Sequence, residues 1–289
     1  MSASFIALDW GTTRLRGWLI APDGGVRDEI SSNEGIQAVG PSGFAALLRA
    51  RLAPWLAGEP GVPILMAGMV GSRNGWIEVP YVPAPCNAAD LKRGALRHSL
   101  DGHEVWLVPG VSTRSQDGFF DVMRGEETLA MGAGIRDGLI CQPGTHSKWI
   151  EMREGAIISF ATFITGELYA AMSASFIARL ATTPESHEPG ATQGHMAAQA
   201  KGGVLRGLFQ ARARVLGGSL PEASVKPFIS SLLVAEEIAG ARQLYGPRQP
   251  TLIAAAPHDA LYAAALGAGV TVVDPQKALL EGLKRIRAA

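Results

Sequence analysis

The chain has 289 residues, and its 26 lysines and arginines are balanced by 26 aspartates and glutamates, so the formal net charge is +0. This balance gives no electrostatic basis for binding nucleic acid or a membrane surface. Hydrophobic residues make up 47% of the chain, but no apolar run approaches the roughly 18 residues of a membrane span, and two isolated cysteines without a signal-peptide pattern predict a cytoplasmic protein.

The first predicted element is a β-hairpin in which two short apolar runs flank a turn. Two-residue hairpin turns prefer Asn-Gly or Asp-Gly, whereas here Asp9 ends the first strand and the turn consists of Gly11, Thr12 and Thr13. A carboxylate at a strand end can hold a hydrated divalent cation, and backbone N–H groups and threonine hydroxyls can donate to phosphate oxygens. The alternative interpretation is a surface turn with no such role.

The rest of the first half alternates strands and helices around one long loop. Apolar patterns predict strands at 26–31, 62–67 and 104–108 and helices at 44–56 and 124–134. Residues 68–85 are too rich in glycine, proline and asparagine for regular structure. A loop of this length in a compact domain usually has a function.

The second half begins with the same order of elements. A strand at 138–141 is followed by the loop PGTHS and by a predicted hairpin, with strands at 148–153 and 156–160. This repetition of strand, Gly-Thr turn and hairpin predicts two similar domains that face each other. Beyond it, the sequence predicts helices at 166–178, 197–216, 228–239 and 260–266, a linker at 183–194, and a βαβ unit with strands at 252–255 and 270–273.

Common nucleotide-binding and metal-binding motifs do not fit. The segment PGTHSK has the lysine of a P-loop but lacks its second glycine and its spacing. The histidines and cysteines lack the spacings of zinc ligands. Gly132 and Gly134 resemble part of a dinucleotide fingerprint, but the third glycine is missing, so helix termination is the favoured interpretation.

Five motifs in a fixed order resemble one known family. They are LDWGTTRLRGW at 8–18, AGMVGSRNGW at 67–76, MRGEET at 123–128, PGTHSKW at 143–149 and TFITGELY at 162–169. Together they resemble the 2-dehydro-3-deoxygalactonokinases, which are sugar-acid kinases of the actin, hexokinase and Hsp70 superfamily. The resemblance implies an α/β fold of two RNase H-like domains, residues 1–134 and 135–289, that face an interdomain cleft.

The resemblance also implies a reaction. The chain would transfer the γ-phosphate of ATP, with Mg²⁺, to the C6 hydroxyl of 2-dehydro-3-deoxy-D-galactonate in galactonate catabolism. One alternative is a regulator of the same fold that binds ATP or the sugar acid without turnover. Another is an acetate-kinase-like or hydrolytic enzyme of the superfamily. The gluconate-derived epimer stays open as substrate, and a homodimer is among the assemblies the sequence allows.

The resemblance assigns the two Gly-Thr turns to ATP. Asp9 would orient the hydrated Mg²⁺, and residues of both domains would hold the phosphates. The implied phosphate ligands are Gly11, Thr12, Thr13, Gly144, Thr145 and His146. The family pattern further predicts a glycine pair near adenine, where this sequence has Ala254, Ala255 and Ala256, so Ala255 is assigned to the nucleotide site without close adenine packing.

The resemblance to sugar kinases implies that a carboxylate at the entry of the helix after the first domain's last strand accepts the proton of the attacking hydroxyl. Glu126 is the predicted base, with Glu127 and Asp121 as alternatives. Charge complementarity at a helix N-terminus is the competing explanation for Glu126. Arg124 would bind the substrate carboxylate or a phosphate, or else form a surface salt bridge.

The sugar acid would bind at two segments. The loop from Ser72 offers hydroxyl, guanidinium, amide and indole groups, and a plain Ω-loop is the alternative. The second segment follows a buried strand, where a helix cap by Thr165 is the alternative. The predicted substrate ligands are Ser72, Arg73, Asn74, Trp76, Thr165 and Glu167.

Overall fold

The computed structural model describes residues 4–40, 42–115, 118–175 and 190–289. Two compact units are present. The first comprises Met1–Gly138, Ile150–Phe160 and Asp274–Ala289, and the second comprises Leu139–Trp149 and Ala161–Val273. These units differ from the ranges 1–134 and 135–289, so the division into those two domains stays a prediction.

The described residues alternate short strands with helices in both halves of the chain. The strands are β1 (Phe5–Trp10), β2 (Leu15–Ile20), β3 (Val26–Ser32), β4 (Ile64–Ala67), β5 (Val82–Pro83), β6 (Leu96–Leu100), β7 (His103–Leu107), β8 (Val111–Arg114), β9 (Phe120–Met123), β10 (Gly138–Gln142), β11 (Ser147–Arg153), β12 (Ala156–Phe163), β13 (Thr251–Ile253) and β14 (Thr271–Val273). The helices are α1 (Phe44–Gly58), α2 (Ala88–Gly94), α3 (Glu126–Gly132), α4 (Thr165–Ser173), α5 (Gly190–Ala198), α6 (Gly203–Leu216), α7 (Val225–Tyr245), α8 (His258–Leu266) and α9 (Pro275–Ala288).

The sheet of the first unit has the strand order β3-β2-β1-β4-β7-β6. Strand β1 pairs antiparallel with β2 and parallel with β4, and β4 pairs parallel with β7. The apolar residues of β1 and β4 are buried on both faces, as expected for parallel strands covered on both sides. Asp9 lies opposite Arg16 of β2 and Ala67 of β4. The segments that follow β1 and β4 therefore begin at the same sheet edge.

A second sheet repeats this arrangement. Its order is β12-β11-β10-β13-β14. In both sheets, the first three strands lie side by side in reverse chain order, and the next strand of the sheet, β4 or β13, pairs with the first of them. The predicted repetition of form is confirmed. Strands β13 and β14 are parallel with α8 between them in sequence, which confirms the predicted βαβ unit. The strands β5, β8 and β9 form a third, small sheet.

Some predicted elements differ from the structure. The single helix expected at 197–216 is two helices, because Gly202 and Gly203 both have positive φ, 111° and 67°, which ends α-helical geometry. The predicted linker at 183–194 is wrong from residue 190, which starts α5, and residues 183–189 lie outside the described ranges. The helix expected at 166–178 is α4, and residues 176–178 also lie outside those ranges.

Helix α9 was not predicted, although it has the usual features of an amphipathic helix. Asp274 caps its N-terminus by accepting from the backbone N–H of Lys277 at 2.8 Å, and a proline occupies its first position, where a missing N–H costs nothing. Helix α3 ends at Gly132, so the interpretation of this glycine segment as a helix end is confirmed. Within the described residues, no helix is both long enough and apolar enough to span a membrane.

Candidate active site

Asp9 is held in a fixed orientation at the end of β1. Its Oδ2 accepts from Nε and Nη2 of Arg16, at 3.1 Å and 2.6 Å, and its side chain is 21% exposed. A Cβ built on Gly68, the residue after β4, would lie 3.1 Å from Asp9 Oδ1. Arginine therefore holds one carboxylate oxygen, while the other lies beside a residue with no side chain.

Residues 34–37, which we call the strap, hydrogen-bond to the turn that follows Asp9. The strap donates two backbone N–H groups, to the carbonyls of Gly11 at 3.0 Å and Thr12 at 3.2 Å. It also accepts the indole N–H of Trp10 at 2.8 Å. A Cβ on Gly35 would lie 2.3 Å from the Thr12 carbonyl oxygen, so only glycine fits under the turn.

These contacts occupy the carbonyl groups of Gly11 and Thr12, and the Gly11 N–H donates to the Arg14 carbonyl at 2.9 Å. Among the described residues, the backbone N–H groups of Thr12 and Thr13 have no backbone acceptor, and both side chains are exposed. A turn with fixed carbonyls and unused N–H groups is suited to binding an anion. The structure thus gives the predicted phosphate turn a rigid support that the sequence did not reveal.

Two glycines bring the start of α3 next to Asp9. Gly68 and Gly125 have φ of 92° and 108°, values that favour glycine. A Cβ on Gly125 would lie 3.5 Å from the Cα of Gly68. Neither glycine was predicted as a site residue, because the contact between them joins segments distant in sequence.

The two glutamates at the start of α3 have different environments. Glu127 is fully buried, and its carboxylate accepts from the N–H of Gly125 at 2.7 Å and the hydroxyl of Thr128 at 2.9 Å. Burial and the neighbouring charge of Glu126 raise the pKa of Glu127 to about 7. Glu126 is partly exposed and accepts from the N–H of Arg124 at 3.0 Å.

Arg124 packs against the long loop at 68–85. Its guanidinium carbon is 4.5 Å from the centre of the Tyr81 ring, and its Nη2 donates to the Val79 carbonyl at 2.7 Å. Its Nε and Nη1 are buried and have no acceptor among the described residues. A Cβ on Gly71 would lie 3.0 Å from Nη1. The alternative of a surface salt bridge is therefore wrong for Arg124. Two of its nitrogens, Nε and Nη1, can donate hydrogen bonds to a ligand.

The other predicted groups of the loop are arranged differently. Ser72 is 9% exposed, and its hydroxyl donates to the Met69 carbonyl at 2.7 Å. Trp76 packs on the core of the first unit and edge-on against His98, with ring centres 5.1 Å apart. Arg73 and Asn74 are exposed, and Asp121 lies on β9 and accepts from the N–H of Val122 at 2.7 Å. Substrate roles for these residues stay predictions.

The second Gly-Thr turn is fastened by the first turn of α4. A Cβ on Gly166 would lie 2.3 Å from the Gly144 carbonyl oxygen, and the N–H of Glu167 donates to the Thr145 carbonyl at 2.9 Å. His146 Nε2 and Glu167 Oε2, both on exposed side chains, are 2.5 Å apart. The structure therefore brings four of the predicted residues, Gly144, Thr145, His146 and Glu167, together in the second unit.

Thr165 does not cap α4, because Ile164 is the N-cap residue and makes no side-chain cap bond. The alternative of a capping role is therefore wrong. Instead, the Thr165 side chain hydrogen-bonds Glu237, whose pKa is raised by burial and lowered in part by its hydrogen-bond donors. Glu237 was not predicted, although a glutamate inside an apolar helical run is a visible sign of an internal partner.

Ala255 lies between β13 and α8, as the resemblance implied. Its carbonyl accepts from the N–H of His258 at 3.0 Å and of Asp259 at 3.3 Å. Ala254 is buried, and Ala255 and Ala256 are exposed. The alanines therefore form the connection between strand and helix, and the Ala255 carbonyl accepts hydrogen bonds from the first two residues of α8.

Comparison with known proteins first gives the fold class of the chain. A solved activator of 2-hydroxyisocaproyl-CoA dehydratase from Clostridium difficile, with bound ADPNP, matches 99% of this chain and 95% of its own, at a TM-score of 0.52 and 11% identity. At that identity the match shows fold alone. The α/β fold is that of the actin-like ATPases, as predicted.

The family is shown by closer matches. The sequence model of the 2-keto-3-deoxy-galactonokinase family matches residues 9–286 of this chain. The 2-dehydro-3-deoxygalactonokinase of Escherichia coli (strain K12) is 33% identical, over 100% of this chain and 99% of that protein. The crystal structure of a provisionally named 2-dehydro-3-deoxygalactonokinase from Sinorhizobium meliloti, 31% identical, matches 98% of each chain with a TM-score of 0.90.

This chain belongs to the 2-keto-3-deoxy-galactonokinase family. The resemblance drawn from five short motifs is confirmed, and so is the prediction of a kinase that acts on an alcohol group of a sugar acid.

Proposed function

We propose that this chain transfers the γ-phosphoryl group of ATP to the C6 hydroxyl of 2-dehydro-3-deoxy-D-galactonate, as a step of galactonate catabolism in the cytoplasm. Family membership supports the reaction class. The observation that carries the proposal is the first turn, where a fixed carboxylate precedes backbone N–H groups with no backbone acceptor in the described chain. Phosphoryl transfer needs positioning and charge neutralisation more than covalent chemistry, and this turn offers both.

We assign Mg²⁺ to Asp9. Among the described residues, no group of three or more His, Cys, Asp or Glu side chains could form a metal site by itself. Mg²⁺ commonly keeps several waters and uses one or two carboxylates together with substrate phosphates, so a single half-buried aspartate fits this ion. When bound, Mg²⁺ would neutralise the phosphate charge that develops during transfer.

The phosphates are assigned to Gly11, Thr12 and Thr13 in the first unit. In the second unit the turn at 144–146 is assigned to phosphate as well, with Ala255 near the nucleoside. Both turns have carbonyl groups that are held by neighbouring segments. A preorganised turn loses little entropy when an anion binds. This common feature supports one role for both turns.

Glu126 is the proposed base. Glu127 is fully buried, and both of its oxygens already accept hydrogen bonds, one from the backbone and one from Thr128. A base must reach the proton it accepts, which favours the partly exposed Glu126. We assign Glu127 to holding Gly125 in its left-handed conformation beside Asp9.

Arg124 is the proposed anchor for the substrate carboxylate. Burying N–H groups without acceptors is costly, and Nε and Nη1 of Arg124 are in that situation within the described chain. Each of these nitrogens can donate a strong, charge-assisted hydrogen bond to a carboxylate. The stacked Tyr81 ring and the Val79 carbonyl fix its orientation, so an acid is favoured over a neutral sugar. The remaining predicted ligands, Ser72, Arg73, Asn74, Trp76, Thr165 and Glu167, are proposed to contact the sugar acid.

The proposal is tested by ADP release with Mg-ATP. The assay compares 2-dehydro-3-deoxy-D-galactonate, its gluconate-derived epimer and no sugar, and uses Asp9→Asn as the inactive control. We expect turnover with the galactonate compound. Retained ATP binding without turnover on either acid would contradict the proposal and indicate a regulator. Turnover on the epimer alone would correct the substrate.

The same assay tests Arg124. Arg124→Met should raise KM for the sugar acid roughly 30-fold or more, the usual cost of truncating one partner of a buried charge pair. Activity on the neutral methyl ester should change little. An increase in KM for ATP instead would place Arg124 on a phosphate.

A further inference from the structure

Helix α7 carries a carboxylate on its buried face. Glu237 is 2% exposed and lies among the core side chains of the second unit. Its Oε1 accepts the indole N–H of Trp149 at 2.8 Å, and its Oε2 accepts the hydroxyl of Tyr262 at 2.7 Å. The side chains of Ser147 and Thr165 also hydrogen-bond this carboxylate. Four donors match the four lone-pair sites of a carboxylate.

The four donors come from three elements that adjoin the proposed ATP ligands. Ser147 and Trp149 belong to β11, directly after the turn at 144–146. Thr165 opens α4, whose next residue lies against the Gly144 carbonyl. Tyr262 belongs to α8, the helix that follows the alanine segment. The Tyr262 and Ser147 hydroxyl oxygens are also 3.1 Å apart, so the groups from β11 and α8 meet at the carboxylate.

Stability alone does not account for a carboxylate at this position. Replacing a buried polar network by packed apolar side chains is often neutral or stabilising. A satisfied network instead fixes the relative placement of the elements it joins. A leucine at position 237 would fill space in the core but would leave β11, α4 and α8 without a common hydrogen-bond acceptor.

We propose that Glu237 is a positioning residue for ATP, which holds the turn at 144–146 in its phosphate-binding conformation. This inference rests on the proposed function, because it takes the turn to bind phosphate. Glu237 acts through Ser147 and Thr165, the two hydroxyl residues that flank the fastened turn. Through its hydrogen bond to Tyr262, Glu237 also positions α8 and the alanine segment that precedes this helix.

The first variant is Tyr262→Phe, which removes one hydroxyl and keeps the ring. We expect KM for ATP to rise about 3- to 10-fold, the equivalent of one hydrogen bond, with KM for the sugar acid and the melting temperature little changed. Tyr245→Phe is the matched control. The Tyr245 hydroxyl donates to the Trp149 carbonyl at 3.2 Å in the same unit, and its loss should leave KM for ATP unchanged.

The second pair of variants is Glu237→Leu and Glu237→Gln. Leucine should raise KM for ATP more than Tyr262→Phe does, and glutamine, which keeps the shape and an acceptor oxygen, should restore most of the affinity. Lower kcat and melting temperature at unchanged KM for ATP, in Tyr262→Phe or in either Glu237 variant, would show a role in the core only and overturn the inference.

Direct binding of Mg-ATP, measured by calorimetry, separates this inference from the proposed function. A wild-type chain that binds Mg-ATP without sugar-acid turnover would contradict the proposed function, and a weaker Kd in Tyr262→Phe would still support the positioning role. An equal Kd in the variant and wild type would overturn the positioning role. A wild-type chain that does not bind Mg-ATP would overturn both.

Discussion

Glu127 is a carboxylic acid enclosed in protein beside a second acid, and its protonation is linked to the stability of the fold. Its pKa of about 7 in the folded chain lies above the ordinary value of 4.5 for a glutamate. Between these values the folded chain holds a proton that the unfolded chain has lost, so the free energy of unfolding falls as pH rises through this window. Above pH 7 the cost of the buried charge is fully present.

Glu127→Gln should therefore flatten the dependence of stability on pH. At pH 8 the variant should gain about 2–4 kcal/mol over the wild type, from 1.36 kcal/mol for each pKa unit, and at pH 4 the two should be similar. Urea unfolding at several pH values measures the difference. Glu78→Gln, at an exposed side chain, is the control. Equal slopes for Glu127→Gln and wild type would contradict the assigned titration.

At the residue scale, the sequence predicted the site residues that adjoin strong local patterns. Asp9 and Thr12 follow a short apolar strand, and the turn at 144–146 follows another, so both turns could be recognised from spacing. Gly35 could not, because its role depends on contact with a segment 22 residues away. The apolar run around Glu237 indicated an internal partner, but no local pattern identifies that partner, which lies 88 residues away.

The strap supports the first turn and Trp10 through its backbone, while Ile36 packs in the core and Glu34 pairs with Arg51. Because a Cβ on Gly35 would lie 2.3 Å from three backbone atoms of Thr12 and Thr13, Gly35→Ala must push the strap away from the turn. We expect kcat/KM for ATP to fall at least about 10-fold, since small displacements of positioning groups reduce rates strongly. KM for the sugar acid should stay near the wild-type value.

Gly40→Ala provides the matched control for this element. A Cβ on Gly40 would meet nothing within 4 Å, so the same chemical change should leave kinetics unchanged. Equal kinetics for Gly35→Ala and Gly40→Ala would show that the turn does not depend on the strap.

At the scale of elements, hydrophobic periodicity predicted the strands of the two larger sheets except β6, and most helices. It predicted one helix at 197–216, across the break between α5 and α6, because spacing does not report the positive φ of Gly202. Helix α9 was missed despite its cap and its apolar spacing. Its partner, α3, is far away in sequence.

The C-terminal helix of the chain, α9, belongs to the first unit. Helix α9 packs so closely on α3 that a Cβ on Gly282 would lie 1.9 Å from the Thr128 carbonyl oxygen, and a Cβ on Gly132 would lie 1.7 Å from the Ala278 carbonyl oxygen. Helix α3 begins with Glu126, the proposed base. The last residues of the chain therefore support a site that is built mainly from its first half.

Gly282→Ala should separate α9 from α3, because an added methyl group has no space between two helix backbones. We expect a loss of about 1–3 kcal/mol of stability, typical of overpacking, a lower kcat, and faster hydrogen exchange in both helices. Exchange in β13, which belongs to the second unit, should be unchanged below the unfolding transition. Gly58→Ala, where a Cβ meets nothing within 4 Å, is the control in the first unit. Faster exchange in β13 to the same degree as in α3 would show that α9 stabilises the whole chain, and would contradict a specific support of the first unit.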